Sequence, residues 1–389
     1  MALRSKSLRR MSAAALSLLC TLLLTGCWNS RDIQNLAYVT AIGIDYKDNH
    51  YITYVQVLNF SNIARTETNT IGKPVPIWIG KGEGNTVVDS LDAMMATSQL
   101  RMFWGHVKAI VFTENLMRMG IVDTFNALNR YREIRYRLLV YGTKEKLENV
   151  FTKKSLLNLS PLDTIMYTPE QTYSQRSFIQ PVYGHQVVAR INEPGQPTML
   201  PSLTVTREIW TEDTKGMPLL SISGAYFFND RVLSGWLSSE DLKGSRWIQK
   251  DLKQAIIQVP NKDEVAATLA LLKPKYRIRP IIDSGNKVRY DIDVRIQGKL
   301  FELIKDTPTR KLEKLAQDEV MQEIQETYRK GLAAHCDVFN LEEALYRKYP
   351  KIWHSQHRKA PYQLSEDSLR KITVKVSLRN TGKYKGRVG

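Results

Sequence analysis

Two runs rich in β-branched and aromatic residues, Leu36–Tyr46 and Tyr51–Phe60, flank the polar triplet Lys47-Asp48-Asn49, a pattern that predicts a β-hairpin. Ser61 to Lys73 is polar and aperiodic and reads as a loop. Ile77-Trp78-Ile79 then leads into Gly80-Lys81-Gly82-Glu83-Gly84-Asn85-Thr86, read as a flexible turn ending in an Asn or Thr N-cap. A helix is predicted over Val87–Gln99, with Val88, Leu91, Met95 and Leu100 on its apolar face. Val107–Phe112 predicts a buried strand, Glu114–Asn129 a helix, Arg135–Tyr141 a strand and Lys144–Phe151 a short helix. Prolines recur from Pro161 to Pro201 and predict a loop-rich connector with one short helix near Tyr183–Ile191.

The second half opens on another hairpin, Leu219–Phe228 and Arg231–Leu237 about Asn229-Asp230. A helix is expected from Ser238 or Ser239, with Glu240 and Asp241 in its first turn, where negative charge suits the helix dipole. Strands follow at Ala255–Val259, Val265–Leu272 and Tyr276–Ile282. Val288–Ile296 alternates strictly, with Tyr290, Ile292 and Val294 on one face and Asp291 and Asp293 on the other. That is the signature of a half-buried antiparallel strand, repeated at Ile372, Val374, Val376 and Leu378. Between them lie a long helix, Thr309–Leu332, with the stripe Val320, Ile324, Tyr328 and Leu332, and a shorter one, Leu341–Tyr349, stopped by Pro350. The class is α+β: two to three consecutive domains, each a mixed or largely antiparallel sheet packed with helices. The expected division is a leader at 1–26, an N-terminal domain at 27–205 whose Pro-rich connector occupies about 160–205, and a C-terminal region at 206–389 with room for a further split in two.

The start of the chain sets the compartment. Arg4, Lys6, Arg9 and Arg10 precede the apolar run Met11–Leu24, which at 14 residues is short of the roughly 20 that a membrane-spanning helix needs. It reads as a secretory signal. Leu24-Thr25-Gly26-Cys27 ends it in the manner of a bacterial lipoprotein signal, in which Cys27 takes a diacylglyceryl group and becomes the first mature residue. Two or more acyl chains make a stable anchor where one is marginal. Trp28 follows, either as an interfacial side chain or as a core anchor. Cys20 leaves with the leader and Cys336 stands alone, so no intramolecular disulfide is expected. The 56 Lys and Arg against 39 Asp and Glu give a net +17, and the excess left once Arg4, Lys6, Arg9 and Arg10 depart with the leader favours an anionic neighbour. In an exported lipoprotein this is a lipid headgroup surface or anionic wall polymer, not nucleic acid.

Candidate chemistry is sparse. The Gly80/Gly82/Gly84 run lacks the Lys-Ser/Thr ending of a P-loop. His354 and His357 are spaced like metal ligands on a helix, yet their basic surroundings read as a solvated surface pair. His335-Cys336-Asp337 reads as a helix end, since adjacent residues point apart. Ser368-x-x-Lys371 matches the serine–lysine motif of penicillin-binding enzymes but runs into a strand without its partner motifs. Asp291/Asp293 and Glu342/Glu343 are expected on solvent faces. No enzyme, metal or cofactor is expected, and no small-molecule ligand is evident.

An ordered series of short segments completes the picture: Gly26-Cys27-Trp28, Arg31-Asp32-Ile33, Ala41-Ile42-Gly43-Ile44-Asp45, Gly84-Asn85-Thr86, Phe103-Trp104-Gly105-His106, Glu133-Ile134-Arg135, Gly224-Ala225-Tyr226-Phe227-Phe228, Gly235-Trp236-Leu237, Asp337-Val338-Phe339-Asn340-Leu341 and Tyr349-Pro350-Lys351-Ile352-Trp353. Together they resemble the Ger(x)C family, the lipoprotein C subunits of nutrient germinant receptors of endospore-forming bacteria. Asn340 stands where that pattern has Gly, and Ala360-Pro361-Tyr362 replaces a later tryptophan. The resemblance implies several mixed-sheet domains in a row. It also implies a non-enzymatic subunit on the outer face of the spore inner membrane, acting beside membrane-embedded A and B subunits. The only site residue it carries across is the lipidated Cys27. A solute-binding lipoprotein of a membrane uptake system is the alternative, disfavoured by the hairpins, since such proteins are built from parallel βα repeats. A wall-active hydrolase would need an acid/base pair that the chain does not offer.

Overall fold

The computed structural model describes residues 13–15, 17, 36–59, 75–175, 178–229, 231–261, 264–283, 285, 287–358 and 364–380. Cys27, Trp28, the loop expected over Ser61–Lys73 and Ala360-Pro361-Tyr362 lie outside them.

Strands β1 (Leu36–Lys47) and β2 (His50–Leu58) form the expected hairpin. Asp48 and Asn49 turn it with φ of 51° and 63°, the left-handed pair that a tight two-residue hairpin turn demands and that Asp and Asn tolerate best. The glycine run expected to be a flexible turn is instead strand β3 (Ile77–Gly84), with Gly80, Gly82 and Gly84 opposite Val55, Thr53 and Tyr51 of β2. The glycines are there for helix α1 (Val87–Met95), which lies directly on the strand: a Cβ on Gly82 would stand 2.0 Å from the Ser90 carbonyl oxygen. Thr86 caps α1 by accepting the Asp89 N–H at 3.0 Å. Its buried face is Val87, Ser90, Leu91 and Met94, whereas Val88, Met95 and Leu100 are exposed. The face is turned by one residue from the expected one because close approach over glycines selects small Ser90, which a count of apolar positions passes over.

β4 (Arg101–Phe103) and β5 (Ala109–Thr113) both run parallel to β1. The helix expected over Glu114–Asn129 is two, α2 (Glu114–Met119) and α3 (Val122–Asn129), broken at Gly120, whose φ of 106° no helix accepts. β6 (Leu139–Thr143) and α4 (Leu147–Phe151) follow. The proline-rich stretch holds α5 (Pro169–Gln175), α6 (Gly184–Asn192) and β7 (Thr198–Thr206). After the small ribbon β8 (Thr211–Glu212) and β9 (Lys215–Gly216), the hairpin β10 (Leu219–Asn229) and β11 (Val232–Ser238) pairs onto β7. One sheet thus runs β11-β10-β7-β6-β5-β1-β2-β3, with β4 beside the start of β1. One face buries Ile42, Ile110, Phe112 and Tyr226 under α1, α2, α3 and α6; the other buries Ala109, Val111 and Tyr141 under α4 and Tyr167.

The helix expected after Ser238 is a turn followed by a 3₁₀ segment, Lys243–Ile248. Gly244 here packs so tightly on the next long helix that a Cβ would lie 2.2 Å from the Glu323 carbonyl oxygen. The second sheet has the order β12 (Ala255–Asn261), β13 (Glu264–Ile282), β14 (Val288–Leu303) and β15 (Leu369–Asn380). β13 joins two expected strands through a bulge between Leu272 and Lys275. β14 is antiparallel to β13, as expected, and parallel to β15, because three helices cross over between them. These are α7 (Thr309–Ala333), α8 (Leu341–Lys348) and α9 (Pro350–His357). Leu312, Ala316, Val320, Ile324 and Tyr328 of α7 cover Ile292, Val294, Val374 and Val376. Asn340 enters α8 at φ 56°, in the left-handed region that Asn, like Gly, takes at low cost. The whole is an α+β architecture of mixed sheets packed with helices.

Candidate functional site

The segment His335-Cys336-Asp337 and the distant His357 line one cleft, where the β10–β11 end of the first sheet meets α8 and α9. Asp337 is buried; its carboxylate accepts the Phe339 N–H at 3.3 Å and the Glu342 N–H at 2.9 Å, fixing the start of α8. Burial, reinforced by the Glu342 carboxylate, pushes its pKa up to about 7. Cys336 packs against Phe227 and Leu237, and burial pushes its thiol up to about 12. A thiol so protonated at neutral pH is neither nucleophile nor ligand.

His357 corrects the expectation of a solvated pair. Its ring stacks on Trp353 at 3.7 Å and its Nε2 lies 3.4 Å from Glu342 Oε2, with only 12% of the side chain exposed. His354 is exposed, edge-on to Tyr346 and Trp353. Glu342 is likewise buried rather than solvated, while Glu343 pairs with Arg347 at 2.6 Å. Asp291 is a further correction: it is buried and held bidentately by Arg370 at 2.8 and 2.6 Å, which keeps its carboxyl below the usual range. Asp293 pairs with Arg279 at 2.7 Å. Ser368 binds the Ser365 N–H at 3.0 Å in a 3₁₀ turn, and Lys371 lies on β15. Among the described residues no group of three His, Cys, Asp or Glu side chains could hold a metal ion. The junction cleft encloses about 30 Å³, room for a water molecule and not for an amino acid or a sugar.

Two larger depressions flank the parallel strands of the first sheet. One, about 530 Å³, lies at their carboxyl ends, the usual ligand position of an open α/β sheet. Several of its charged groups are already engaged. Glu114 contacts Arg118 at 2.5 Å and Lys144 at 3.8 Å, and Lys144 lies over the Trp236 ring. Asp45 accepts from Thr113 Oγ1 and from Asn115 Nδ2 at 3.4 Å, tying the ends of β1 and β5 together. The other, about 550 Å³, lies at the opposite end, between residues 95–104 and 130–133. There the Trp104 N–H donates to Glu133 Oε2 at 3.1 Å, joining two of the recognisable segments.

Other segments are joints of the same kind. A Cβ on Gly43 would meet Leu147 at 2.8 Å, and one on Gly224 would meet the Leu237 carbonyl oxygen at 2.2 Å. The segments that identify the sequence therefore build close packing and caps. Sequence reasoning missed the polar knot of Thr40, Gln56 and Tyr167. There Thr40 Oγ1 donates to Gln56 Oε1 at 2.8 Å and Gln56 Nε2 to the Phe151 carbonyl at 2.7 Å. No local signal marks it, since its members are far apart in the chain. Among the described residues no helix is long and apolar enough to cross a membrane.

Comparison with known proteins covers nearly the whole chain. Residues 29–205 match the family described as "Spore germination protein N-terminal domain", and residues 223–382 match "Spore germination B3/ GerAC like, C-terminal". The chain is 23% identical to spore germination protein KC of Bacillus subtilis (strain 168) over 364 residues, 89% of each chain. It is 24% identical to spore germination protein B3 of the same organism over 287 residues, 72% of each. In fold it resembles the crystal structure of the GerBC protein, with a TM-score of 0.52 and 18% identity over 90% of this chain and all of that one.

Proposed function

Because the chain belongs to the GerAC-type family of spore germination proteins, we propose that it is the lipid-anchored subunit of a nutrient germinant receptor. It is not an enzyme. Cys27 carries the acyl chains, the folded part lies at the outer face of the spore inner membrane, and membrane-embedded A and B subunits are its partners. The observation that carries this reading is the position of the lipoprotein signal. Cys27 falls two residues before the family match begins, so the anchor and the first matched domain are joined without a spacer. We place the membrane-proximal N-terminal domain at 27–205 and the C-terminal region at 206–389, whose opening hairpin, β10 and β11, completes the first sheet through β7. The mixed sheet, with antiparallel hairpins towards both edges, speaks against a solute-binding lipoprotein of an uptake system.

The test is nutrient response. Spores lacking the chain should lose germination with at least one amino acid, sugar or nucleoside, recover it on complementation, and respond normally to a trigger that bypasses nutrient receptors. An unchanged response across a broad nutrient panel would overturn the assignment.

A further inference from the structure

The parallel strands of the first sheet all begin at one edge, and that edge is where the anchored segment enters the fold. Eight residues separate Cys27 from Leu36, and the nine steps between them reach at most about 30 Å. Leu36, the first residue of β1, pairs with Arg101 of β4. Lys108 immediately precedes β5, and Arg130 and Arg132 follow the last turn of α3. Arg135 lies in the segment leading to β6. All five side chains belong to exposed residues, and none is ion-paired among the described residues.

The five are brought to one place. Arg101, Arg130 and Arg132 line the same depression, and Lys108 and Arg135 both act on His106, whose ring packs edge-on to Phe103 of β4 at 5.5 Å. The nearest carboxylate on the lining, Glu133, is occupied by the Trp104 N–H. Large apolar side chains are exposed around this edge: Trp78 at 70%, Leu100 at 44% and Tyr136 at 56%. Trp78 pairs with Val57, one residue from the Leu58–Tyr38 pair, so it lies level with the start of β1. By strand alternation it shares a face with Gly80 and Gly82, beyond the end of α1.

We propose that this edge is a docking surface for anionic phospholipid headgroups, with Arg101, Lys108, Arg130, Arg132 and Arg135 on the headgroups and Trp78 and Leu100 at the interface. The proposal rests on the anchoring read at Cys27 and adds the orientation of the domain: strand starts toward the bilayer, strand ends away from it. The occupant follows from charge and place. Unpaired cations with exposed aromatic and aliphatic side chains are what an anionic membrane surface binds, and the tether keeps this edge beside one.

The test uses the mature chain from Cys27, produced without its leader and therefore unlipidated, so that its outcome is independent of acylation and of the receptor. Cosedimentation with vesicles of phosphatidylglycerol and phosphatidylcholine should show binding that high salt suppresses and that vesicles of phosphatidylcholine alone do not support. The double substitution Arg130→Gln/Arg132→Gln should weaken it about 30-fold with an unchanged melting temperature. The same charge change on the second sheet's helices, Lys311→Gln/Lys351→Gln, should leave it intact. Equal binding to phosphatidylcholine, an equal loss in the two double variants, or no vesicle binding at all would overturn the proposal; the last would point to a protein partner on this edge.

Discussion

Cys27→Ala should release the protein from the membrane and abolish the nutrient response that depends on it. A diacylglyceryl group inserts two chains, and each buried methylene contributes about 0.8 kcal/mol, so its loss removes nearly all membrane affinity. Nothing described can take its place, since among those residues no helix can cross a bilayer. The basic edge cannot substitute either. At about 1 kcal/mol per Lys or Arg it gives a reversible, salt-sensitive association suited to orienting an anchored protein. Fractionation of spore membranes with an immunoblot, alongside germination of the same spores, checks both halves. Full nutrient response with the chain in the soluble fraction would refute the anchoring role of Cys27.

The largest effect on stability is expected at Glu323 of α7. Its Oε1 accepts from Arg246 Nη2 and its Oε2 from Trp247 Nε1, both at 2.6 Å. Arg246 and Glu323 are only 7% and 8% exposed. Glu323→Ala leaves the guanidinium buried and uncompensated between the Phe178 and Trp247 rings, with its Nε already lacking a partner. Breaking a buried pair from one side costs about 3–5 kcal/mol. Replacing both partners by apolar groups of similar volume should restore part of that, because no charge is then stranded although the buried Trp247 N–H still loses its acceptor. Denaturant unfolding of Glu323→Ala and of Arg246→Met/Glu323→Leu measures both. A single-variant loss below about 1 kcal/mol would show that water reaches the guanidinium. The pair matters to the whole molecule, because it fastens the segment leaving the first sheet to the helix that covers the second.

What the sequence made legible was whatever short-range chemistry decides. Asp48-Asn49 announces a hairpin because those residues tolerate a left-handed turn, and the stripe Val320, Ile324 and Tyr328 announces α7 because its spacing is local. The glycines of β3 misled because the same residues serve a flexible turn and a strand that a helix must approach closely; only the position of Ser90 distinguishes the two. Asp291 and His357 misled because alternation and basic flanks describe a chain in solvent, whereas their partners come from elsewhere: Arg370 is 79 residues from Asp291, and Glu342 comes from another helix than His357. The basic edge is invisible in the chain for the same reason. Arg101, Lys108 and Arg135 are spread over three segments that parallel strand starts bring to one side. The reverse holds for Cys27, whose proposed lipidation rests on the sequence alone.

A receptor subunit of the proposed kind works beside two integral membrane proteins. Affinity isolation of the chain from detergent-solubilised spore membranes, followed by mass spectrometry after mild cross-linking, tests it directly. Two multi-spanning membrane proteins should co-purify in constant ratio with the wild-type chain and be lost with Cys27→Ala. Recovery of the lipidated chain alone, from spores whose nutrient response is intact, would contradict this.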